Sequence, residues 1–333
     1  TTAIAYDIII TGATGFIGAA YTRYFSALGY KVLALGRSKE PHSNLLQYAS
    51  YQSVDIAAAV PPLEATVCIH CAGLASDKES LQNLLQVNTE GTKNVFSNIR
   101  ADHFIYLSSA SVYPPNGLLH TEDELIDETE LSAYGYSKFK AEQWLQQQAS
   151  TATKITVIRP RGVYGAGDRI LMPRILRLKK GPFLVLPAKL DYTISLTNIE
   201  NLLLATNSII KAKQAGQYEI YNITDDPVHQ LGEVIEHIWE MLVAKKNIPV
   251  RVPQSIVQLA SKLLPLSDLN ANTLKYYLCH HQLLNEKIKT TFDLELPHNF
   301  SNYMPVLEKW IQSIPLTDLQ KGTADLPWRN ETL

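Results

Sequence analysis

A short apolar run, Ile8-Ile9-Ile10, passes directly into Thr11-Gly12-Ala13-Thr14-Gly15-Phe16-Ile17-Gly18. Three β-branched residues in a row suit a buried strand. A helical pattern follows to about Leu28, and Gly29 offers a stop. Strand, glycine-rich turn and helix in that order commit the chain to a βα unit opening a parallel sheet. They also create a place for an anion. Glycines allow backbone to approach a pyrophosphate closely, and the helix N-terminus presents N–H groups and a partial positive charge. The spacing is G-x-x-G-x-x-G, so the turn needs its strand and helix context to carry that meaning.

The alternation continues through about residue 160. Strands are expected at 6–11, 31–35, 51–55, 66–70, 103–108 and 154–159, with helices at 15–28, 79–99 and 132–149. Such alternation implies right-handed βαβ units. The fold class expected is α/β, a Rossmann-type doubly wound parallel sheet with a smaller, mostly helical C-terminal substrate lobe. Residues 1–160 form the dinucleotide-binding domain, with 190–225 returning to it; 161–189 and 226–333 form the substrate lobe. Ligands of such sheets lie at the carboxyl ends of the strands, where Gly12, Cys71-Ala72-Gly73 and Ser109 fall. Beyond residue 160, Ile170–Lys180 reads as a helix, Thr193–Leu196 as strand-like and Asn198–Ser208 as a helix. Tyr218–Ile223 is a further strand, and Pro227 is placed to open the next helix. Ile256–Leu264 reads as core or lid packing rather than as a membrane-surface segment, and the acidic run Glu122–Glu130 as a solvated loop.

The chemistry concentrates in Tyr134-Gly135-Tyr136-Ser137-Lys138. On a helix Tyr134 and Lys138 stand one turn apart on the same face. An ammonium beside a phenol favours the phenolate and lowers the tyrosine pKa from about 10. That makes the phenol a usable general acid or base near neutral pH. Ser109, arriving from a strand end in Ser108-Ser109-Ala110-Ser111-Val112-Tyr113, is placed to hold a substrate oxygen against it.

These motifs together resemble the extended short-chain dehydrogenase/reductase family, the NAD-dependent epimerase/dehydratase group, over most of the chain. The carriers are Gly12, Gly15 and Gly18; Asp55-Ile56 after the third strand; His70-Cys71-Ala72-Gly73; and Val87-Asn88-Thr89-Glu90-Gly91-Thr92. The serine strand, Tyr134 to Glu142, Arg159-Pro160 and Val163 to Asp168 complete the set. The resemblance implies catalysis by Tyr134, Lys138 and Ser109. Cofactor contacts are implied at Gly12, Thr14, Gly15, Phe16, Ile17, Gly18, Arg37, Ser38, Asp55, Ile56, Cys71, Ala72, Gly73, Asn88, Tyr134, Lys138 and Pro160. Asn88 is expected to brace the active-site backbone rather than act on substrate. Tyr136 and Lys140 form a second Tyr-x-x-x-Lys pair, which the Gly-x-Ser-Lys frame sets aside. By the same resemblance Lys138 bonds the nicotinamide ribose, and Tyr134 exchanges a proton with the substrate oxygen that Ser109 holds.

Cofactor choice turns on the end of the second strand. Binders of NAD usually place a carboxylate there for the ribose 2′-hydroxyl. Here the residues are Leu35-Gly36-Arg37-Ser38-Lys39, and Arg37 suits a 2′-phosphate, so NADP(H) is expected over NAD(H). Family dehydratases carry an Asp-Glu pair just after the position of Ser109. Ala110-Ser111 stands there, which leaves hydride transfer on an alcohol or ketone, or epimerisation through a keto intermediate. The segments Arg159–Asp168, Met172–Leu176 and Ser195–Leu202 resemble the branch related to 3β-hydroxysteroid dehydrogenases, which implies an apolar substrate. Pro114-Pro115 after Tyr113 departs from the family's usual glycine, so specificity does not transfer.

Composition narrows the rest. A net charge of −2 over 333 residues argues against an electrostatic nucleic-acid binder. No run approaches the ~18 apolar residues of a membrane span. The first residues show no basic and apolar leader pattern, so a cytoplasmic protein with a small-molecule substrate is expected. By resemblance, a homodimer is possible through helices 79–99 and 132–149. Three cysteines do not make a disulfide framework. Cys68-Ile69-His70-Cys71 sits on a strand and lacks a second ligand pair, and Cys279-His280-His281 reads as a polar helix or loop, so no metal site is expected.

Overall fold

The computed structural model describes residues 6–76, 78–149, 152–212, 217–242, 248–263, 274–276 and 278–329. The initial apolar run forms strand β1 (Tyr6–Thr11), and its last four residues are buried. It is joined by β2 (Val32–Gly36), β3 (Ser50–Ser53), β4 (Leu63–His70), β5 (Ile99–Leu107), β6 (Lys154–Pro160) and β7 (Tyr218–Ile223). The spatial order is β7-β6-β5-β4-β1-β2-β3, parallel throughout. The direction of winding reverses between β1 and β4, and such a switch point opens a crevice at the carboxyl ends of those strands. Alternate residues face opposite layers. Ile8 and Ile10 join one buried cluster and Ile9 the other, as the period of two requires. Both faces are covered, so β2 is buried along its whole length.

Helix α1 (Phe16–Ala27) follows the glycine turn. The stretch expected as one helix at 79–99 is wound unevenly: α2 (Leu81–Leu84), a π-helical segment Leu85–Glu90, then α3 (Gly91–Asn98). The wide turn carries Asn88, which bonds away from its own helix. Helix α4 (Ala133–Gln147) is capped by Ser132, whose hydroxyl accepts the Gly135 N–H at 3.1 Å.

Past β6 several expectations are corrected. The helix expected to reach Lys180 is only α5 (Leu171–Leu176). Gly181, at φ +61°, and Pro182 turn the chain instead, so Lys179–Lys180 pairs antiparallel with Phe183–Pro187. After α6 (Ile199–Lys211) and β7, Pro227 lies in a loop and α7 (Leu231–Leu242) begins later. Helix α8 (Gln254–Leu263) exposes Ile256, Leu259 and Leu263 by 54%, 58% and 69%, so this face is not core packing. Leu264 lies outside the described residues. Nor is the acidic run wholly solvated. Glu122 is buried, and its carboxylate accepts the Asn222 N–H at 2.8 Å, one residue from the end of β7. No helix among the described residues is long and apolar enough to cross a membrane.

Candidate active site

The glycine turn is built for close approach. Gly12 takes φ +70°, and a Cβ there would lie 2.8 Å from the Ala72 nitrogen at the end of β4. Only a residue without a side chain lets the ends of β1 and β4 meet. A directional chain of hydrogen bonds then ties them. The Ala72 N–H donates to Thr11 Oγ1 at 3.1 Å. Thr92 Oγ1 donates to the Asn88 carbonyl at 2.7 Å, so it accepts from His70 Nε2 at 2.9 Å. His70 Nδ1 is therefore the acceptor for the Thr11 hydroxyl at 2.7 Å. Burial, with Lys138 nearby, pushes His70 down to about 3, which keeps the ring neutral in this chain.

The helix beyond the turn meets the requirements of an anion site. Gly15 is the N-cap of α1; no side chain caps it, and its first turn carries no acidic residue. Its leading amides and dipole are left facing a cavity of about 510 Å³ that opens at the carboxyl ends of the strands. Gly12, Gly15, Phe16, Ile17, Gly18 and Arg37 line one part of that cavity. Cys71, Gly73, Ser109, Tyr134, Lys138 and Pro160 line it too. A phosphate-bearing dinucleotide fits this set of donors and this bare glycine cradle.

Other sequence-expected residues stand behind the wall. Thr14 and Ser38 do not line the cavity, although the Ser38 carbonyl accepts the Tyr51 hydroxyl at 2.6 Å. Asp55 Oδ1 accepts the Ala57 N–H at 3.0 Å, and Ile56 is buried against Gly91. Ala72 contributes its backbone as described. Asn88 is buried and clamps the loop after β4 to α4: Oδ1 accepts the Leu74 N–H at 2.8 Å, and Nδ2 donates to Ser137 Oγ at 2.9 Å.

Ser109, Tyr134 and Lys138 share the wall of this cavity, where α4 comes hard against the serine turn. A Cβ on Gly135 would stand 2.0 Å from the Ser111 carbonyl. Ser109 begins a single 3₁₀ turn, Ala110–Val112, and its hydroxyl accepts the Ser111 N–H at 3.1 Å. Lys138 is buried; Nζ donates to the Leu107 carbonyl at 2.9 Å and lies 4.9 Å from the centre of the Tyr106 ring. Burial pulls its ammonium down to about 8, against the pull of Cys71 and Glu142. One turn further along α4, Glu142 accepts the Ser108 hydroxyl and two Arg159 donors, Nη2 at 2.5 Å and Nε at 3.1 Å. Arg159 Nη1 also donates to the Tyr113 hydroxyl at 2.9 Å, which donates to Asn222 Oδ1 at 2.7 Å. The other tyrosine–lysine pair is turned outward: Lys140 bonds Glu128 at 2.7 Å and stays outside the cavity.

Sequence reasoning missed part of the wall. Arg161 lines the cavity and is held on three sides: Nε donates to His281 Nδ1, Nη1 to the Ser195 carbonyl and Nη2 to the Tyr276 carbonyl, each at 2.8 Å. Tyr276 in turn donates its hydroxyl to the Ser111 carbonyl at 3.2 Å. Burial and the adjoining Arg161 hold His281 well below the usual imidazole range, so it is a neutral wall residue rather than part of a polar surface loop. Asp168 is buried in the same wall and accepts the N–H groups of Ile170, Leu171 and Met172 at 2.7, 3.1 and 2.8 Å. Its burial pushes the carboxyl up to about 6. Arg161 adjoins the Arg159-Pro160 step and was within reach of sequence reading; His281 and Tyr276 meet it only through the fold. Cys68, Cys71 and Cys279 are free thiols, and no cluster of metal-ligating side chains occurs among the described residues.

Residues 8–224 match the model of the NAD dependent epimerase/dehydratase family. The chain therefore belongs to that family, whose members are enzymes of the short-chain dehydrogenase/reductase type. It is 28% identical over 280 residues to a 2-alkyl-3-oxoalkanoate reductase of Stenotrophomonas maltophilia (strain K279a), covering 79% of this chain and 84% of that one. It is 29% identical over 164 residues to a decarboxylating sterol-4-alpha-carboxylate 3-dehydrogenase of Schizosaccharomyces pombe, covering 46% and 48%. Among solved structures it resembles a UDP-glucuronic acid 4-epimerase from Bacillus cereus in complex with NAD. The TM-score there is 0.72 at 17% identity, over 92% of this chain and 99% of that one.

Proposed function

We propose that this protein is an NADP(H)-dependent oxidoreductase that interconverts an alcohol and a ketone through Ser109, Tyr134 and Lys138. The observation that carries the reading is the sharing of one cavity by those three side chains and the glycine turn at the start of α1. A nicotinamide held in this cavity would supply or accept the hydride. Tyr134 moves the proton at the substrate oxygen, Ser109 donates a hydrogen bond to that oxygen, and the Lys138 ammonium favours the phenolate form of Tyr134. The buried ion pair of Glu142 and Arg159 supports α4 and the serine turn from behind. Arg37, in the wall of the cavity just past β2, favours a 2′-phosphate and hence NADP(H).

The lining also speaks to the substrate. Val163, Ile170 and Leu171 are apolar, whereas Arg161, Arg169 and Arg174 are cationic. That mixture suits a mainly apolar molecule bearing an anionic group. The names 2-alkyl-3-oxoalkanoate and sterol-4-alpha-carboxylate both describe apolar molecules with a carboxylate.

The test is NADPH oxidation, followed at the absorbance of the reduced nicotinamide, with 2-alkyl-3-oxoalkanoates, their methyl esters and ketosteroids. Turnover of the free acids above that of the esters is expected. No net oxidation with any of them, by protein that binds NADPH, would move the assignment to an epimerase, which regenerates its cofactor each cycle. Tyr134→Phe is expected to keep cofactor affinity and lose at least ~100-fold in kcat; undiminished turnover rejects the role of Tyr134. Equal dissociation constants for NADPH and NADH reject the cofactor preference.

A further inference from the structure

We propose that Trp328, in the C-terminal 3₁₀ turn Leu326–Trp328, is a positioning residue for the dinucleotide, holding the glycine turn in its ligand-binding shape. The proposal rests on the cofactor reading above. The indole Nε1 donates to the Ala13 carbonyl at 3.0 Å, 315 residues away in sequence, and both residues are buried. Ala13 stands inside the glycine turn, and its own N–H donates to the Leu35 carbonyl at 3.0 Å. In a trans peptide the carbonyl and the following N–H point in opposite directions. Anchoring the Ala13 carbonyl on the indole therefore fixes the peptide plane between Gly12 and Gly15, which both line the cavity. A glycine-flanked peptide plane without such an anchor has wide rotational freedom, and freedom in a binding loop weakens affinity.

The indole is itself fixed from several sides. The Arg23 guanidinium of α1 sits 4.8 Å from its ring centre, and Nη1 donates to the Pro327 carbonyl at 2.7 Å. Asn44 Nδ2 donates to the Trp328 carbonyl at 2.8 Å. A Cβ on Gly167 would lie 3.2 Å from Pro327 Cα and 3.3 Å from the Phe16 ring, so the loop before Asp168 is clamped between the C-terminal turn and a cavity-lining side chain. Glycine turn, Gly167 loop and C-terminal turn form one packed unit.

The experiment is calorimetric titration of NADP⁺ and, separately, of adenosine 2′-phosphate into wild type, Trp328→Phe and Asn44→Ala. Phe keeps the ring and removes the indole donor. Loss of one hydrogen bond predicts ~3- to 10-fold weaker NADP⁺ binding in Trp328→Phe, and a smaller weakening in the same direction in Asn44→Ala. Adenosine 2′-phosphate lacks the pyrophosphate that the turn would hold, so its affinity is expected to stay at the wild-type value, which a merely loosened fold would not preserve. Unchanged NADP⁺ affinity in both variants overturns the proposal, as does an equal fall for both ligands. Wild type that binds neither ligand overturns the cofactor reading itself, and this proposal with it.

Discussion

Lys138 shows how much a single side chain's setting decides. Its spacing from Tyr134 is a property of any helix, but its burial, its bond to the Leu107 carbonyl and its seat over Tyr106 are not. Burial places its folded pKa at about 8, below the ordinary lysine value. The groups facing it are His70 from β4 and Cys71 just beyond it, Tyr106 from β5, and Glu142 from α4 itself. Below pH 8 the ammonium is charged and, in the proposed role, favours the phenolate form of Tyr134; above it that charge is lost. In the reductive direction kcat/KM is expected to fall as pH rises through about 8, since this parameter reports the free enzyme. A profile flat from neutral pH to ~10 would remove Lys138 from the proton-handling set.

Helix α4 joins the catalytic candidates to the sheet, and two contacts govern it. Gly135 has no room for a methyl group beside the Ser111 carbonyl. Gly135→Ala is expected to push α4 off the serine turn and lower kcat by ~100-fold, because small misplacements of reacting groups are that damaging. Glu142 neutralises Arg159 in a place where both are almost wholly buried. Burial acts against the Arg159 charge, but the carboxylate beside it outweighs burial and keeps the guanidinium protonated. Glu142→Ala leaves that charge uncompensated and is expected to cost ~3–5 kcal/mol, read as a lower urea midpoint at unchanged slope. By contrast, the exposed pair of Lys93 and Glu90 contributes at most ~0.5 kcal/mol.

In the whole molecule, segments far apart in sequence converge on the glycine turn: β1 leads into it, and Trp328 bonds it at the Ala13 carbonyl. Ligand binding is therefore coupled to the packing of the chain as a unit. NADPH at ~100 times its dissociation constant is expected to stabilise the fold by about 2.7 kcal/mol, with a matching rise in melting temperature. With Arg37 in its proposed role at the 2′-phosphate, NADH at the same concentration is expected to raise it less. Equal shifts would remove Arg37 from that role.

The sequence by itself determined the sheet, because buried parallel strands need near-continuous apolar runs and the turns between them need glycine at stated positions. It also pointed to Gly12, Ser109, Tyr134 and Lys138 through local motifs, and the four line one cavity. Contacts between distant segments were beyond it. Nothing local in Cys279-His280-His281 announces that His281 will accept a hydrogen bond from Arg161, and nothing in Leu326-Pro327-Trp328 announces Ala13. Glu122 looks solvated until the Asn222 amide meets it in the interior. Asn88 is expected from the sequence to brace the active-site backbone, but its partners Leu74 and Ser137 are set only by the π-helical segment and the fold around it. Local pattern carries backbone conformation and face, whereas the partner of a buried polar atom is chosen by whichever segment the closed fold brings within hydrogen-bonding distance.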